Sequence, residues 1–152
     1  MKQFTLDLYK SIQRPVIFLE EWYKFDAMID TGALFPVWVD DEKALVKLGA
    51  KCIKNDVRFG GFGGEAKGNL YRIDYFRIGE LVYPDFPIIA CKVKAPCHMI
   101  LSSSMFSHLR SEIDDDNHKL NVTIPDSQSL VRNLTIWDEK GHLQVLCSSE
   151  NN

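Results

Sequence analysis

Asp30 follows an apolar run, Ala27-Met28-Ile29, and is followed in turn by Thr31-Gly32-Ala33. A carboxylate in that position is available for acid–base work. Thr31 offers a hydroxyl that can bond locally or across an interface, and Gly32 lets a backbone approach the carboxylate closely. The same residues also suit a plain turn in which Asp30 caps its own loop. A second stretch, Arg58-Phe59-Gly60-Gly61-Phe62-Gly63-Gly64-Glu65-Ala66-Lys67-Gly68, sets two glycine pairs around one phenylalanine between strand-like flanks. This describes a pliable hairpin tip whose backbone groups can lie against an extended ligand. Taken alone, it could equally be a flexible hairpin with no role. A phosphate cradle would need G-K-[ST] and a following helix, and neither is present.

Other polar candidates are weaker. His98, His108, His118 and His142 are dispersed, and none has a Ser or Cys partner in a recognisable nucleophile motif, so they read as ordinary surface or half-buried histidines. Asp26, Asp74 and Asp85 could be drawn into a site, and strand alternation places Asp26 on the face of Asp30. Only Asp30 has the Thr-Gly context.

Short strands must position these residues. Apolar runs occur at Pro15–Leu19, Trp22–Ile29, Phe35–Val39, Leu70–Ile78, Leu81–Tyr83, Phe86–Cys91, Leu120–Ile124, Leu134–Trp137 and Leu143–Leu146. Gly79-Glu80 and Glu139-Lys140-Gly141 join neighbouring runs as hairpin turns. Two short helices interrupt the strands. Asp40 or Asp41 caps the first, whose stripe is Ala44, Leu45 and Leu48, with Gly49 as its stop. Ser102 or Ser103 caps the second, with Met105, Phe106 and Leu109 facing inward. The pattern predicts a closed or sandwich-like all-β domain. The one plausible seam is the polar stretch Asp126–Arg132.

Composition sets the outer limits. The chain has 152 residues, 45% hydrophobic and 11% aromatic, which is enough for one cored domain and excludes intrinsic disorder. Its formal net charge of −3 lacks the basic footprint of a nucleic-acid binder. No apolar run is long enough to span a bilayer. No export signal is visible at Met1-Lys2-Gln3-Phe4-Thr5. Cys52, Cys91, Cys97 and Cys147 are scattered, so they read as reduced, mostly buried thiols of a cytoplasmic chain. Neither a metal nor a cofactor is expected, since Cys97-His98 lacks a second ligand pair.

In order, these features resemble the retropepsin family of aspartic proteases. Asp30-Thr31-Gly32-Ala33 looks like the family's active-site loop, and Gly60-Gly61-Phe62-Gly63-Gly64 is similar to the flap tip of retroviral proteases. His98 to Phe106 resembles the apolar strand, glycine and short helix of the family, and Asp114 to Ile124 resembles its last core strands. The resemblance covers roughly Pro15 to Pro125. Where the family usually has glycine, after Ile100-Leu101, this chain has Ser102. Serine there either caps the following helix or displaces the loop and weakens activity.

The resemblance implies a closed acid-protease-like barrel over residues 1–152, with a core at about 15–125 and a C-terminal β-hairpin extension at about 126–152. It implies hydrolysis of peptide bonds by two carboxyl groups sharing one proton. With one Asp-Thr-Gly per chain, the site would need an obligate homodimer, each copy giving one Asp30. Thr31, Gly32 and Ala33 would form the loop, and Ile100, Leu101 and Ser102 would support it. Phe59 and Gly60 to Gly64 would close over a peptide or protein substrate. Ala33 has no hydroxyl to offer the carboxylate, so a pH optimum less acidic than in pepsin-like enzymes is expected. The alternative is an inactive retropepsin-like module for dimerisation or peptide binding. The alternating Phe4, Leu6 and Leu8, and the amphipathic Leu134–Leu146 hairpin, suggest termini that serve the dimer or else cover one subunit.

Overall fold

Apolar and polar residues alternate along much of this chain, and the backbone follows that period of two. The computed structural model describes residues 1–8, 16–19, 25–30, 33–61, 64–94 and 97–149. In order they form β1 (Lys2–Asp7), β2 (Val16–Leu19), β3 (Phe25–Asp30), β4 (Val37–Trp38), α1 (Glu42–Lys47), β5 (Lys51–Gly61) and β6 (Gly64–Ile78). There follow β7 (Leu81–Ala90), β8 (Met99–Ser102), a 3-10 helix (Ser103–Phe106), β9 (Arg110–Asp114), β10 (Lys119–Ile124), β11 (Arg132–Glu139) and β12 (His142–Ser149).

Two sheets result. The smaller has the order β1-β10-β9; the larger runs β11-β12-β5-β6-β7-β4-β8-β3-β2. The expected closed barrel is not formed among the described residues, because the larger sheet ends in β11 on one side and β2 on the other. Its last two strands explain why. β11 and β12 pair along their whole length with each other, and β12 joins β5 through a single parallel pair, Leu143↔Phe59. The hairpin is thus appended to the margin of the sheet and does not bridge back to the far edge.

Local chemistry set several elements. Asp41 caps α1 by accepting from Lys43 N at 2.9 Å, Leu45 is fully buried, and Gly49 takes φ +94° just beyond the helix end. The second expected helix is a 3-10 helix capped by Ser102. Its serines bond locally, with Ser107 Oγ donating to Ser104 O at 2.7 Å, which favours a tight turn over a longer α-helix. Gly79 turns β6 into β7 at φ +58°, and Ile78 pairs with Leu81 as the hairpin pattern requires. β7 then runs unbroken to Ala90, so the two apolar runs after that turn are one strand.

The core lies in two adjoining clusters. The larger gathers Trp38, Phe76, Tyr83, Phe86, Leu101 and Met105, with the Phe76 and Phe86 rings stacked at 4.5 Å. The smaller joins Met28, Ala33, Phe35, Phe59, Ile100 and Leu143, and it underlies Asp30. Two expectations need correcting. The cysteines are free as expected, but only Cys147 is buried, and Cys52 is exposed on an irregular stretch of β5. The polar stretch before β11 is no simple seam, because Arg132 at its end is wholly buried.

Candidate active site

Asp30 closes β3, half-buried, and lies opposite Ser102 in the parallel β3–β8 ladder. The next ladder pairs inward are Ile29↔Leu101 and Met28↔Ile100, and Ile100 and Leu101 are buried. Apolar side chains therefore fix the strand, and its carboxylate emerges where the ladder stops. The Asp30 carbonyl accepts from Ala33 N at 3.2 Å, so the backbone turns directly after the acid. Ala33 is buried. Thr31 and Gly32 lie outside the described residues.

Ser102 sits immediately behind this loop, wholly buried. Its Oγ is 3.0 Å from Ala33 O and 2.8 Å from Leu34 O, and it accepts from Ser104 N at 3.2 Å. Ser104 Oγ is a further 2.6 Å away. A hydroxyl has one proton to give, so Ser102 Oγ donates to one loop carbonyl at a time while accepting from Ser104. The family's glycine would leave that space without a polar atom. Here a serine pair fastens the loop to the 3-10 helix, and Ser104 had no signal in the sequence beyond its place in a run of three serines.

The glycine-rich hairpin comes to the same place. Phe59 is buried, with its ring edge-on to Phe35 at 6.2 Å between centroids. A Cβ on Gly60 would lie 3.6 Å from Leu34 Cδ1, and Leu34 is half exposed. The ladder continues through Gly60↔Glu65 to Gly61↔Gly64. Phe62 and Gly63 lie outside the described residues. The structure thus sets the loop after Asp30 beside the outer part of the β5–β6 hairpin.

A second polar group sits two strand periods before Asp30 on the same strand. Asp26 N donates to His98 Nδ1 at 3.3 Å, leaving Nε2 as the donor toward Asp40 Oδ2, 3.4 Å away. The rings of His98 and Trp38 lie 6.4 Å apart. This cluster ties β3 to β8 and to the loop before α1. The sequence offered Asp26 but not its partner histidine. Among the described residues, no group of three or more His, Cys, Asp or Glu side chains is placed to hold a metal ion.

The aspartyl protease family model matches residues 20–105, more than half of the chain, from ahead of β3 into the 3-10 helix. The chain belongs to the aspartyl protease family. Its fold is similar to that of a retropepsin-like aspartic protease from Rickettsia conorii, at 15% sequence identity and a TM-score of 0.50, covering 95% of this chain and 94% of that one. No curated protein matches the sequence. Within this aspartyl protease chain, the matched span contains both the Asp30 loop and the glycine-rich hairpin, and ends one residue short of Phe106. No helix among the described residues is long and apolar enough to cross a membrane.

Proposed function

We propose that this chain is a homodimeric aspartic endopeptidase in which two Asp30 carboxyls, one per copy, activate water beneath two glycine-rich flaps. The observation that carries this reading is the convergence of the half-buried Asp30, its serine-fastened loop and the β5–β6 hairpin. A single carboxyl group cannot both remove a proton from water and protonate the substrate carbonyl. Two held about 3 Å apart can, because like charges at that distance cannot both ionise and so share one proton.

The ionised member takes a proton from water as its oxygen attacks the scissile carbonyl carbon, and the protonated member gives its proton to the carbonyl oxygen. The tetrahedral diol then collapses: the ionised member takes a proton from one diol hydroxyl, the C–N bond breaks, and the nitrogen leaves with the other member's proton, so the dyad again holds one shared proton. Thr31 and Gly32 shape the loop. Thr31 reaches across the two-fold axis, and Ile100, Leu101 and Ser102 hold the loop from behind. Phe59 anchors the flap, and Gly60, Gly61, Phe62, Gly63 and Gly64 lay their backbone along an extended peptide, as in strand addition.

Dilution tests the shared site. Below the dissociation constant of the dimer, the rate of peptide cleavage should rise with the square of the chain concentration; above it, linearly. Linear dependence through concentrations at which sedimentation shows only monomer would overturn the two-chain site. A verified dimer that binds peptides and never cleaves them would favour the inactive module.

Ser102 gives a further expectation. Ser102→Ala removes the buried donor to the carbonyls of Ala33 and Leu34 and should cost about 1–3 kcal/mol of stability. Urea unfolding measures it, and a change within error would mean that the loop is held without that hydroxyl.

A further inference from the structure

The C-terminal hairpin packs along β7, where Val131 bridges Val82 and Leu134 and Cys147 enter the larger core cluster, and it grips the molecule at two further, distant points. At its root, Arg132 donates to Met105 O at 3.1 Å and to Ser107 O at 2.5 Å, both in or beside the 3-10 helix that follows Ser102. Near its turn, Leu143 pairs with Phe59 and is buried against it, in the same apolar cluster as Ala33 and Phe35. The adjacent His142 places Nε2 at 3.1 Å from Glu65 Oε2. Glu65 is the ladder partner of Gly60, close to the tip of the β5–β6 hairpin, and its other oxygen lies 3.4 Å from Arg58 Nε. The turn itself is held by Gly141 N donating to Asp138 Oδ1 at 2.9 Å.

We propose that the β11–β12 hairpin is a strap that holds the flap down on the active-site side, with His142 as a positioning residue that clasps Glu65. This rests on reading the β5–β6 hairpin as a flap over an extended peptide. Gripped at Phe59 and Glu65, the hairpin cannot swing from its base. The strap is fixed at its root to the 3-10 helix behind the Asp30 loop, so Phe59 and Glu65 keep a constant spacing from that loop.

The charges around the clasp give it a pH dependence. Glu65 is faced by His142 from β12 and Arg58 from β5, while Lys54, Asp56 and Asp138 line the adjoining depression between β5 and the hairpin turn. The hydrogen bond from His142, with the charges of His142 and Arg58 added, holds the Glu65 carboxyl below its ordinary value. A depressed carboxyl favours the clasped form above its ordinary value, and that advantage is lost as pH falls through the depressed one. The strap therefore loosens in acid.

Hydrogen exchange of the full-length chain tests this apart from catalysis. In His142→Ala, amides of residues 58–61 and 64–67 should exchange about two to five times faster, as expected for an exposed clasp, with β7 and β8 unchanged. His142→Arg, which keeps a donor, should restore most of the protection. For cleavage, His142→Ala should raise KM several-fold with kcat nearly constant. The exchange difference between wild type and Glu65→Gln should be clear near neutral pH and vanish in acid. Unchanged flap exchange in His142→Ala, or a difference that persists in acid, would overturn the strap. The same exchange experiment on Asp30→Asn reads the strap even if the chain proves not to be a protease, so the two readings can fail separately.

Discussion

Asp30→Asn should leave the fold intact and lower the rate of peptide cleavage by at least about 1000-fold. The substitution keeps size and shape at a half-buried position at the end of β3, so the ladder to β8 has no reason to change. In the proposed dimer its chemical effect is doubled by symmetry. In a homodimer every site loses both carboxyls at once, and two amides can neither accept a proton from water nor give one to a carbonyl oxygen. Residual turnover would come from binding and orientation alone. The measurement is cleavage of a peptide library by wild type and variant, with circular dichroism and sedimentation to verify fold and assembly. Equal cleavage by both would remove Asp30 from the mechanism and with it the dyad.

Arg132 should carry the largest structural effect. Its guanidinium is wholly buried and serves the carbonyls of Met105 and Ser107 and the side chain of Gln128. The same Met105 carbonyl accepts from the Tyr83 hydroxyl at 2.7 Å, and burial holds the Tyr83 phenol well above its usual value. Replacing arginine with methionine keeps much of the volume but takes the donors away from a dry site. The expected loss is about 3–5 kcal/mol, since two buried carbonyls and an amide oxygen lose donors at roughly 1–3 kcal/mol each, or roughly 10 °C in Tm for a chain of this size. Lysine has no planar fork and should recover only part of it. Thermal unfolding settles the matter, and a loss under about 1 kcal/mol would show that the carbonyls find other donors.

Sequence reasoning succeeded where the cause was local. The Asp41 cap and the Gly49 stop bracket α1 because a side-chain acceptor and a left-handed glycine act within a few residues of themselves. Gly79 marks its hairpin for the same reason. The Asp30 strand could be read because its apolar run marks an interior strand, and in the sheet β2 and β8 pair with it on either edge. Failures came where the cause was distant. Arg132 stands in a polar stretch, and nothing in its neighbourhood foretells that residues 105 and 107 will enclose it. β9 is mostly exposed along its length, so it lacks the alternation that reveals a half-buried strand. His142 meets Glu65 only because one parallel pair joins β12 to β5. The open margin of the large sheet follows from that same pair, which a count of strands could not disclose.

One outer strand bears on solubility. Among the described residues β9 has a ladder neighbour on one side only, and it presents Arg110, Ser111 and Glu112 to water, with Ile113 48% exposed. A row of unpaired amides and carbonyls is a template for endless stacking, and charges along it make such stacking costly. A chain proposed to meet one copy of itself has to refuse all the others. Arg110 and Glu112 put a charge on either side of Ser111 and so discourage fibre growth from this margin.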